Sequence, residues 1–255
     1  MSAIDKFRLD DQVAIITGAA AGVGRGIAEV FADAGAAVVI SDLDLGKAEA
    51  TAQSICEAGG KALAVYCNVT EEKDREALVR TALEKFGKIT VLVNNAGGGG
   101  PKDFEMPMSE FEWAYQLNVF ALFRMMQLCT PYIATAGGGA ILNISSMSGE
   151  NKNIRMTSYA SSKAAVNHLT RNASFDLGPR KIRVNAIAPG AIRTGALATV
   201  LTPEIEKSML KNTPLNRLGD PEDIGLAALF LCSPASSWIS GQVLTINGGG
   251  IQELN

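Results

Sequence analysis

The segment VAIITGAAAGVG, Val13–Gly24, joins a predicted strand to a predicted helix through a loop rich in glycine. Its first half is a nearly continuous apolar run, which is typical of a parallel strand covered on both faces. In the loop, Gly18 permits the tight turn, Gly22 lets the backbone approach an anion, and Gly24 lets the helix pack on the strand. Because N–H groups and a partial positive charge gather at a helix N-terminus, this segment predicts a loop that binds the pyrophosphate of a dinucleotide.

The rest of the chain repeats this alternation of apolar runs with longer helical patterns. Helices are predicted, for example, over Gly24–Ala34 and Glu71–Phe86. Strands are predicted at Val13–Gly18, Ala37–Asp42, Ala62–Val69, Ile89–Gly97, Gly139–Ser146, Ile182–Gly190 and Gly241–Gly248. This order predicts the α/β class: a single-domain, Rossmann-type, doubly wound parallel sheet of about seven strands with helices on both faces. Because no linker or internal repeat divides the chain, we expect one domain over residues 1–255, with its least regular stretch at 190–220.

Composition excludes several classes of function. The 255 residues carry a formal net charge of -3 and are 47% hydrophobic, so we expect a large core and no general attraction to nucleic acid or anionic lipid. The polar start is unlike a signal peptide, and no apolar run approaches the ~20 residues of a membrane span. The single histidine, His168, excludes a His-rich metal site, and no metal is expected. Four scattered cysteines predict reduced, buried thiols in a cytoplasmic protein: Cys56, Cys67, Cys129 and Cys232.

An acidic residue ends the second predicted strand. Asp42 lies eighteen residues after Gly24, near the spacing at which an acid binds the adenosine ribose hydroxyls of a dinucleotide. The alternative is that Asp42 caps the next helix, since aspartate is a good N-cap residue. A carboxylate here also opposes a 2′-phosphate, and no arginine follows it to hold one. We therefore expect NAD rather than NADP.

A tyrosine and a lysine lie four residues apart in TSYASSKAAVNHL, Thr157–Leu169. On a helix, this spacing places both on one face, about 6 Å apart along the axis. A neighbouring cation lowers the pKa of a tyrosine, so we expect Lys163 to lower the pKa of Tyr159, which then exchanges a proton with a substrate hydroxyl or carbonyl. Lys163 is also long enough to reach a cofactor ribose. Taken alone, the two residues are equally compatible with an ordinary surface pair.

Further polar residues fall where they could join this pair. Ser146 ends the fifth predicted strand, and NNAG, Asn94–Gly97, ends the fourth. Ligands of open parallel sheets bind at the carboxyl ends of the strands, so Ser146 is expected to hold a substrate oxygen and the NNAG backbone to meet the cofactor. A turn or cap serine is the alternative for Ser146. Asn118 lies in a predicted helix. Its side-chain amide is expected to bend that helix and to hold a water that carries protons to Lys163.

Together these features resemble the classical short-chain dehydrogenases/reductases. The matches are TGAAAGVG, Asp42, NNAG, Asn118, Ser146, YASSK and PGAIRT (Pro189–Thr194), in the family's order and over nearly the whole chain. The resemblance implies that the catalytic residues are Asn118, Ser146, Tyr159 and Lys163. It implies a cofactor site formed by Gly18, Gly22, Val23, Gly24, Asp42, Leu43, Asn68, Val69, Asn95, Ala96, Gly97, Tyr159, Lys163, Pro189, Gly190, Ile192 and Thr194.

The family resemblance carries one departure and one expectation about assembly. At Asn68 the family usually has an aspartate near the adenine; the asparagine carbonyl can still bond the adenine amine, so little loss is expected. The family implies a homotetramer, in which the helices bearing Asn118 and Tyr159 pair with their counterparts in a second subunit. The last strand and the C-terminal tail are expected to form the other contact.

Longer segments are similar to a steroid-oxidising branch of this family, the bacterial NAD-dependent 7α-hydroxysteroid dehydrogenases. They are NNAGGGGPK, SGENKNIRMTSYASSKAAVNHLTRN, LTPEIE and the ending GGGIQELN, and they include the polar run Glu150–Arg155. This likeness implies a bile acid, or a related apolar alcohol, as the substrate, oxidised at a 7α-hydroxyl. Some apolar residues within 190–220 could be ordinary core, but their place after the sixth strand favours a helical lid over such a substrate: Leu197, Val200, Leu201, Met209 and Leu210.

The sequence leaves other functions open. The same family includes dehydrogenases and reductases of other secondary alcohols, of sugars and of 3-oxoacyl thioesters; an acyl-carrier reductase should favour NADPH, which Asp42 opposes. A dinucleotide-binding regulator without turnover is expected to lose the proton-transfer residues, which are all present here. His168 is expected to point away from Tyr159, and Trp113 and Trp238 are interpreted as packing residues.

Overall fold

Seven parallel strands form one sheet in the order β3-β2-β1-β4-β5-β6-β7. The computed structural model describes residues 2–152, 154–199 and 201–250. The strands are β1 (Val13–Thr17), β2 (Ala37–Asp42), β3 (Lys61–Tyr66), β4 (Val91–Asn94), β5 (Gly139–Ile144), β6 (Ile182–Pro189) and β7 (Val243–Ile246). The predicted fold class, a single-domain, doubly wound parallel sheet, is confirmed.

Helices cover both faces of this sheet. Within the described residues they are α1 (Gly22–Asp33), α2 (Leu45–Glu57), α3 (Glu72–Phe86), α4 (Met108–Tyr115), α5 (Ala121–Thr135), α6 (Thr157–Leu177), α7 (Gly195–Ala198), α8 (Pro203–Leu210) and α9 (Pro221–Cys232). A π-helical turn, Gln116–Phe120, joins α4 to α5. Side chains of α1, α2 and α9 pack in one core layer, and those of α3, α5 and α6 pack in the other.

Strand β1 shows why its sequence is apolar at every position. Ile15 and Ile16 are both fully buried, but Ile15 belongs to the core layer with α3, α5 and α6, and Ile16 to the layer with α1, α2 and α9. Successive side chains of a strand point to opposite faces, so a strand between two helical layers has no polar face.

The strand order brings the predicted site motifs to one edge of the sheet. Strand β1 pairs with β4, and β4 pairs with β5, all in parallel. The loops after these strands therefore leave the sheet side by side, and they carry the glycine loop, NNAG and Ser146. Since the chain returns to the middle of the sheet between β3 and β4, this edge is also the switch point at which ligands of such sheets bind.

The element boundaries differ from the sequence prediction at functional positions. Helix α1 begins at Gly22 rather than Gly24, and β4 ends at Asn94 rather than Gly97. Asn95 and Ala96 leave the ladder, and their N–H and side-chain groups bond Thr17, at the end of β1, and Gly18 instead. The stretch 190–220 contains two short helices, α7 and α8, which agrees with the expectation of a helical segment there.

One prediction about burial is wrong, and two tryptophans interpreted as packing residues are exposed in the single chain. Cys56 is exposed, because the buried stripe of α2 consists of Ala48, Thr51, Ala52 and Ile55 and leaves Cys56 outside it. Trp113 is 55% exposed and Trp238 is 99% exposed, since Ala114 is the buried residue of α4 and Trp238 lies in the turn before β7. The other three thiols are buried as expected.

Two further observations concern the described residues as a set. None of their helices combines the length and the apolar character that crossing a bilayer requires. Their histidine, cysteine and acidic side chains form no cluster of three that could hold a metal ion.

Candidate active site

The loop after β1 presents free backbone N–H groups at the start of α1. The N-cap residue, Ala21, supplies no side-chain cap, so the first N–H groups of the helix stay available to an anion. Gly18 has a φ of +64°, and a Cβ atom there would lie 2.9 Å from the Cα of Ala96. A Cβ at Gly24 would overlap the Gly18 carbonyl oxygen. Gly22 and Val23 begin this first turn, and its backbone N–H groups form a cradle that fits a pyrophosphate.

The NNAG segment is bonded to this cradle. The side-chain amide of Asn95 donates to the carbonyl oxygens of Thr17 (2.9 Å) and Gly18 (2.8 Å). In return, the Thr17 hydroxyl oxygen accepts from the N–H groups of Asn95 (3.1 Å) and Ala96 (3.0 Å). The two loops therefore form one rigid unit across the ends of β1 and β4.

The PGAIRT segment closes the other side of the cradle. Pro189 ends β6, Gly190 donates its N–H to β7, and Ile192 is buried. The Thr194 hydroxyl caps α7, and its methyl group faces the cradle, since a Cβ at Gly22 would lie 3.2 Å from the Thr194 Cγ2. These positions place the segment between the cradle and the 190–220 region.

Asp42 lies at the end of β2 with its carboxylate beside the cradle. One oxygen accepts from the Ala20 N–H (3.0 Å) and the other from the Asp44 N–H (3.1 Å). The helix N-cap is Asp44, which accepts from the Lys47 N–H, so the alternative interpretation of Asp42 as the cap is wrong. A carboxylate has about four acceptor positions, and two remain for ribose hydroxyls. Leu43 is exposed beside it.

Asn68 and Val69 follow β3 on the same side as Asp42. The Asn68 Oδ1 accepts from both the N–H (3.0 Å) and the hydroxyl (2.8 Å) of Thr70. A carbonyl oxygen has two lone pairs, so this orientation leaves Asn68 with its amide N–H groups, rather than its carbonyl, to offer an adenine. The expectation that the carbonyl meets the adenine amine is not supported by this geometry.

Tyr159, Lys163 and Ser146 come together at the ends of β4 and β5. The Lys163 Nζ lies 5.8 Å from the centre of the Tyr159 ring. Lys163 is 4% exposed and donates to the Ile144 carbonyl oxygen (2.8 Å). The Tyr159 side chain forms a hydrogen bond with Ser146, whose hydroxyl also accepts from the Ser148 N–H (3.1 Å). Ser146 is therefore a cap serine and a neighbour of Tyr159 at once.

The electrostatics of this pair differ from the expectation. Burial raises the pKa of Tyr159, and the Ser146 hydrogen bond lowers it by less. Burial also lowers the pKa of Lys163 to about 8, because no carboxylate compensates its charge. The prediction that Lys163 lowers the pKa of Tyr159 is wrong for this structure, since the ammonium group turns to the Ile144 carbonyl instead of the phenol.

Asn118 lies in the π-helical turn Gln116–Phe120, which agrees with the expected disturbance of the helix. Its Oδ1 accepts from the Gly98 N–H (3.0 Å), and its Nδ2 donates to the Gly98 carbonyl (2.9 Å) and to the Ser162 Oγ (3.1 Å). Both amide N–H groups are thus engaged by the protein, and one Oδ1 lone pair remains. Gly97 lies between Asn118 and Lys163, since a Cβ there would be 2.8 Å from the Asn118 Oδ1 and 3.1 Å from the Lys163 Nζ.

Sequence reasoning missed several residues that organise this site. Thr17 joins the two loops, and Ser162 joins Asn118 to the Tyr159 carbonyl oxygen (2.7 Å). The buried amide of Asn143 connects Asn94 to Thr170, each at 3.0 Å. A polar residue inside an apolar strand, as in AILNI, is the signal that could have revealed Asn143. Nothing comparable marks Thr17 or Ser162, whose residue types are ordinary at turns and on helices.

The fold and site define a dinucleotide-dependent oxidoreductase with a tyrosine–lysine pair. A family model described as enoyl-(acyl carrier protein) reductase matches residues 18–250. The chain belongs to the short-chain dehydrogenase/reductase family.

Particular relatives narrow this class. The chain is 59% identical to the 7alpha-hydroxysteroid dehydrogenase of Escherichia coli strain K12 over 98% of both sequences. It is 36% identical to the 3-oxoacyl-[acyl-carrier-protein] reductase FabG of Thermotoga maritima, over 95% of this chain and 98% of the relative. A solved 7 alpha-hydroxysteroid dehydrogenase, complexed with NADH and 7-oxo glycochenodeoxycholic acid, matches with a TM-score of 0.97 and 58% identity over 100% of both chains.

We expect buried Lys163 to make stability depend on pH. Its pKa changes from 10.5 to about 8 on folding, so between these values the unfolded chain binds more protons and stability rises with pH. Relative to Lys163→Met, which cannot titrate, the wild-type free energy of unfolding should increase by roughly 2 kcal/mol from about pH 8 to pH 10. Urea unfolding of both proteins across this range measures the difference; a difference independent of pH would contradict the burial of a titrating lysine.

Proposed function

We propose that this chain is an NAD-dependent hydroxysteroid dehydrogenase that reversibly oxidises the 7α-hydroxyl of bile acids to a 7-oxo group. The observation that carries the proposal is the match, with a TM-score of 0.97, to a dehydrogenase that holds NADH and a 7-oxo bile acid. The geometry agrees, because the tyrosine, lysine, serine and asparagine of the site meet at the carboxyl ends of β4 and β5.

Tyr159 is the general base in oxidation and the general acid in reduction, and Ser146 holds the oxygen at C7. The hydrogen bond between the two side chains supports these roles, since an oxygen beside both hydroxyls can bond to each. The phenolate form of Tyr159 accepts the hydroxyl proton, the C7–O bond becomes a carbonyl and the hydride departs from C7, so Tyr159 ends the step as a neutral phenol. Bound NAD supplies the nicotinamide that accepts this hydride.

Lys163 and Asn118 organise the reaction around Tyr159. Lys163 uses one N–H on the Ile144 carbonyl, and an ammonium group has two more to offer a cofactor ribose. Asn118 fixes the loop over the site, and its remaining Oδ1 lone pair is the position from which it would hold a water in a relay to Lys163.

The cofactor is NAD, held by the residues that the family resemblance implied. The uncapped start of α1 binds the pyrophosphate, and the two free acceptor positions of Asp42 bind the adenosine ribose. The Asp42 carboxylate opposes the 2′-phosphate of NADP. The preference for NAD over NADP also argues against a 3-oxoacyl thioester reductase, because such an enzyme should favour NADPH.

The substrate site is formed by residues 190–220 within one domain, 1–255. Four of the apolar residues expected in this lid are partly buried: Leu197, Leu201, Met209 and Leu210. Val200, Asn153 of the polar run, and the terminal residues 251–255 lie outside the described residues. A rigid apolar steroid suits such a lining, and only one of its faces presents both the C7 hydrogen and the hydroxyl correctly.

We further infer a homotetramer in the cytoplasm that binds no nucleic acid and does not act at a membrane. Exposed aromatic side chains support pairing of the helices that flank the site: Phe120 (56%), Phe123 (45%) and Phe175 (85%). Phe175 lies on helix α6, and the exposed His168 lies on that helix too. Unpaired cysteines support a reducing compartment, and the net charge of -3 disfavours nucleic acid.

A panel of bile acids with NAD tests the function. Cholate and chenodeoxycholate, which carry a 7α-hydroxyl, should produce NADH absorbance, whereas the 7β epimer ursodeoxycholate should react poorly. NADP in place of NAD should give weaker turnover. Activity on a sugar or a short alcohol, with none on the bile acids, would reduce the proposal to a dehydrogenase of another substrate.

Tyr159→Phe tests the catalytic assignment. The substitution keeps the ring but removes the hydroxyl, so kcat with chenodeoxycholate should fall by at least ~10²-fold, as is typical of an acid–base group. The affinity for NAD, measured by tryptophan fluorescence, should change less than twofold. The fall in kcat would then come from the chemical step and not from weaker cofactor binding. Near-normal turnover of this variant would refute the mechanism.

A further inference from the structure

A loop of four glycines lies directly on the tyrosine of the site. We call residues Gly97–Asp103, which follow β4, the glycine strap. A Cβ atom at Gly99 would lie 2.5 Å from the Tyr159 Cδ2 and 3.1 Å from its Cβ and Cγ. Real Cβ atoms do not approach other atoms to 2.5 Å, so the backbone of Gly99 occupies the space that any side chain would need. Its φ of +152° is also a conformation that other residues rarely adopt.

The inner end of the strap is fixed to the helix that carries Tyr159. Asn118 bonds both the N–H and the carbonyl of Gly98, at 3.0 and 2.9 Å. The same amide donates to Ser162, whose hydroxyl donates to the Tyr159 carbonyl oxygen at 2.7 Å. Strap and tyrosine are therefore located relative to one another through buried, directional bonds.

The outer end of the strap is fixed to the loop after β5. The Lys102 N–H donates to the Arg155 carbonyl oxygen (2.7 Å), and the Arg155 guanidinium pairs with Asp103 (2.9 Å). Arg155 has a φ of 60°, an uncommon conformation for a residue with a side chain. Because the strap is held at both ends, moving its middle away from the Tyr159 ring would cost free energy.

We propose that Gly99 is a positioning residue, whose backbone, held in the glycine strap, fixes the Tyr159 ring so that the phenol meets Ser146 and the substrate oxygen. This rests on the proposed role of Tyr159 as the acid–base group. A side chain at position 99 would tilt the ring, and a displacement of about 1 Å at a reacting group can cost ~10²-fold in rate.

Gly99→Ala tests this with two matched controls. A Cβ at the neighbouring Gly100 meets nothing within 4 Å, so Gly100→Ala alters the same loop without touching the tyrosine. Gly59 has a φ of +90° and equally open surroundings, so Gly59→Ala reproduces the backbone strain far from the site. Each variant is compared with the wild type for thermal stability, NAD affinity, and kcat and KM with chenodeoxycholate over a range of pH.

We expect kcat of Gly99→Ala to fall at least about tenfold, with NAD affinity within twofold of wild type. The rising limb of its kcat profile should move to higher pH, because the Ser146 bond that lowers the pKa of Tyr159 is weakened. Gly100→Ala and Gly59→Ala should keep the wild-type kcat and pH profile. An increase in KM with unchanged kcat, or a kcat equal to that of Gly100→Ala, would overturn the proposal.

Three additional variants keep the outcome decisive. If Tyr159→Phe abolishes turnover while Gly99→Ala resembles its controls, the positioning role is wrong and the proposed function stands; if Tyr159→Phe is active, both are wrong. Should Gly99→Ala fail to fold, Arg155→Gln is used instead, because it removes only the ion pair at the outer end of the glycine strap. Its kcat should fall about two- to fivefold, which corresponds to the small free energy of a surface ion pair. Arg80→Gln, at the exposed pair with Glu84, is its control, and equal kcat values for the two would overturn the proposal.

Discussion

The buried amide of Asn118 is the interaction on which the site depends. It satisfies both backbone groups of Gly98 and reaches Ser162, so one side chain joins the loop after β4, the π-helical turn and helix α6. Asn118 is 1% exposed, and a buried amide that loses a partner costs about 1–3 kcal/mol. The π-helical turn has one more residue than an α-helical turn. This extra residue changes the direction in which the side chains around Asn118 leave the helix, which is consistent with the need to keep its amide bonded.

Charge in this site is controlled by burial more than by pairing. Lys163 has a carbonyl rather than a carboxylate as its partner, and the ring of Tyr159 is 5.8 Å away. Burial therefore disfavours both the phenolate and the ammonium. A cofactor ribose bonded by Lys163, and a substrate oxygen bonded by Tyr159 and Ser146, would add polar contacts to these two buried groups, so binding and ionisation are expected to be coupled.

Much of this arrangement could be predicted from the sequence, for a physical reason. Strands buried on both faces must be apolar throughout, and the polar or glycine residues at their carboxyl ends stand out against that background, as Asp42, Asn94 and Ser146 do. Contacts across the site could not be predicted in this way. Whether Lys163 faces the phenol or the Ile144 carbonyl, and whether Gly99 lies on Tyr159, depends on loop paths that no periodicity encodes. The exposed Trp113 and Trp238 show the same limit, because burial of an aromatic residue depends on which face its element presents.

The central claim is that Tyr159 and Ser146 hold one and the same oxygen, that at C7 of a bile acid. A crystal structure of this chain with NADH and a 7-oxo bile acid tests it most directly. The account predicts that the Tyr159 and Ser146 hydroxyl oxygens both lie about 2.6–3.2 Å from the 7-oxo oxygen. A steroid bound with another of its oxygens at these two side chains, or with neither hydroxyl within hydrogen-bond distance of it, would contradict the claim.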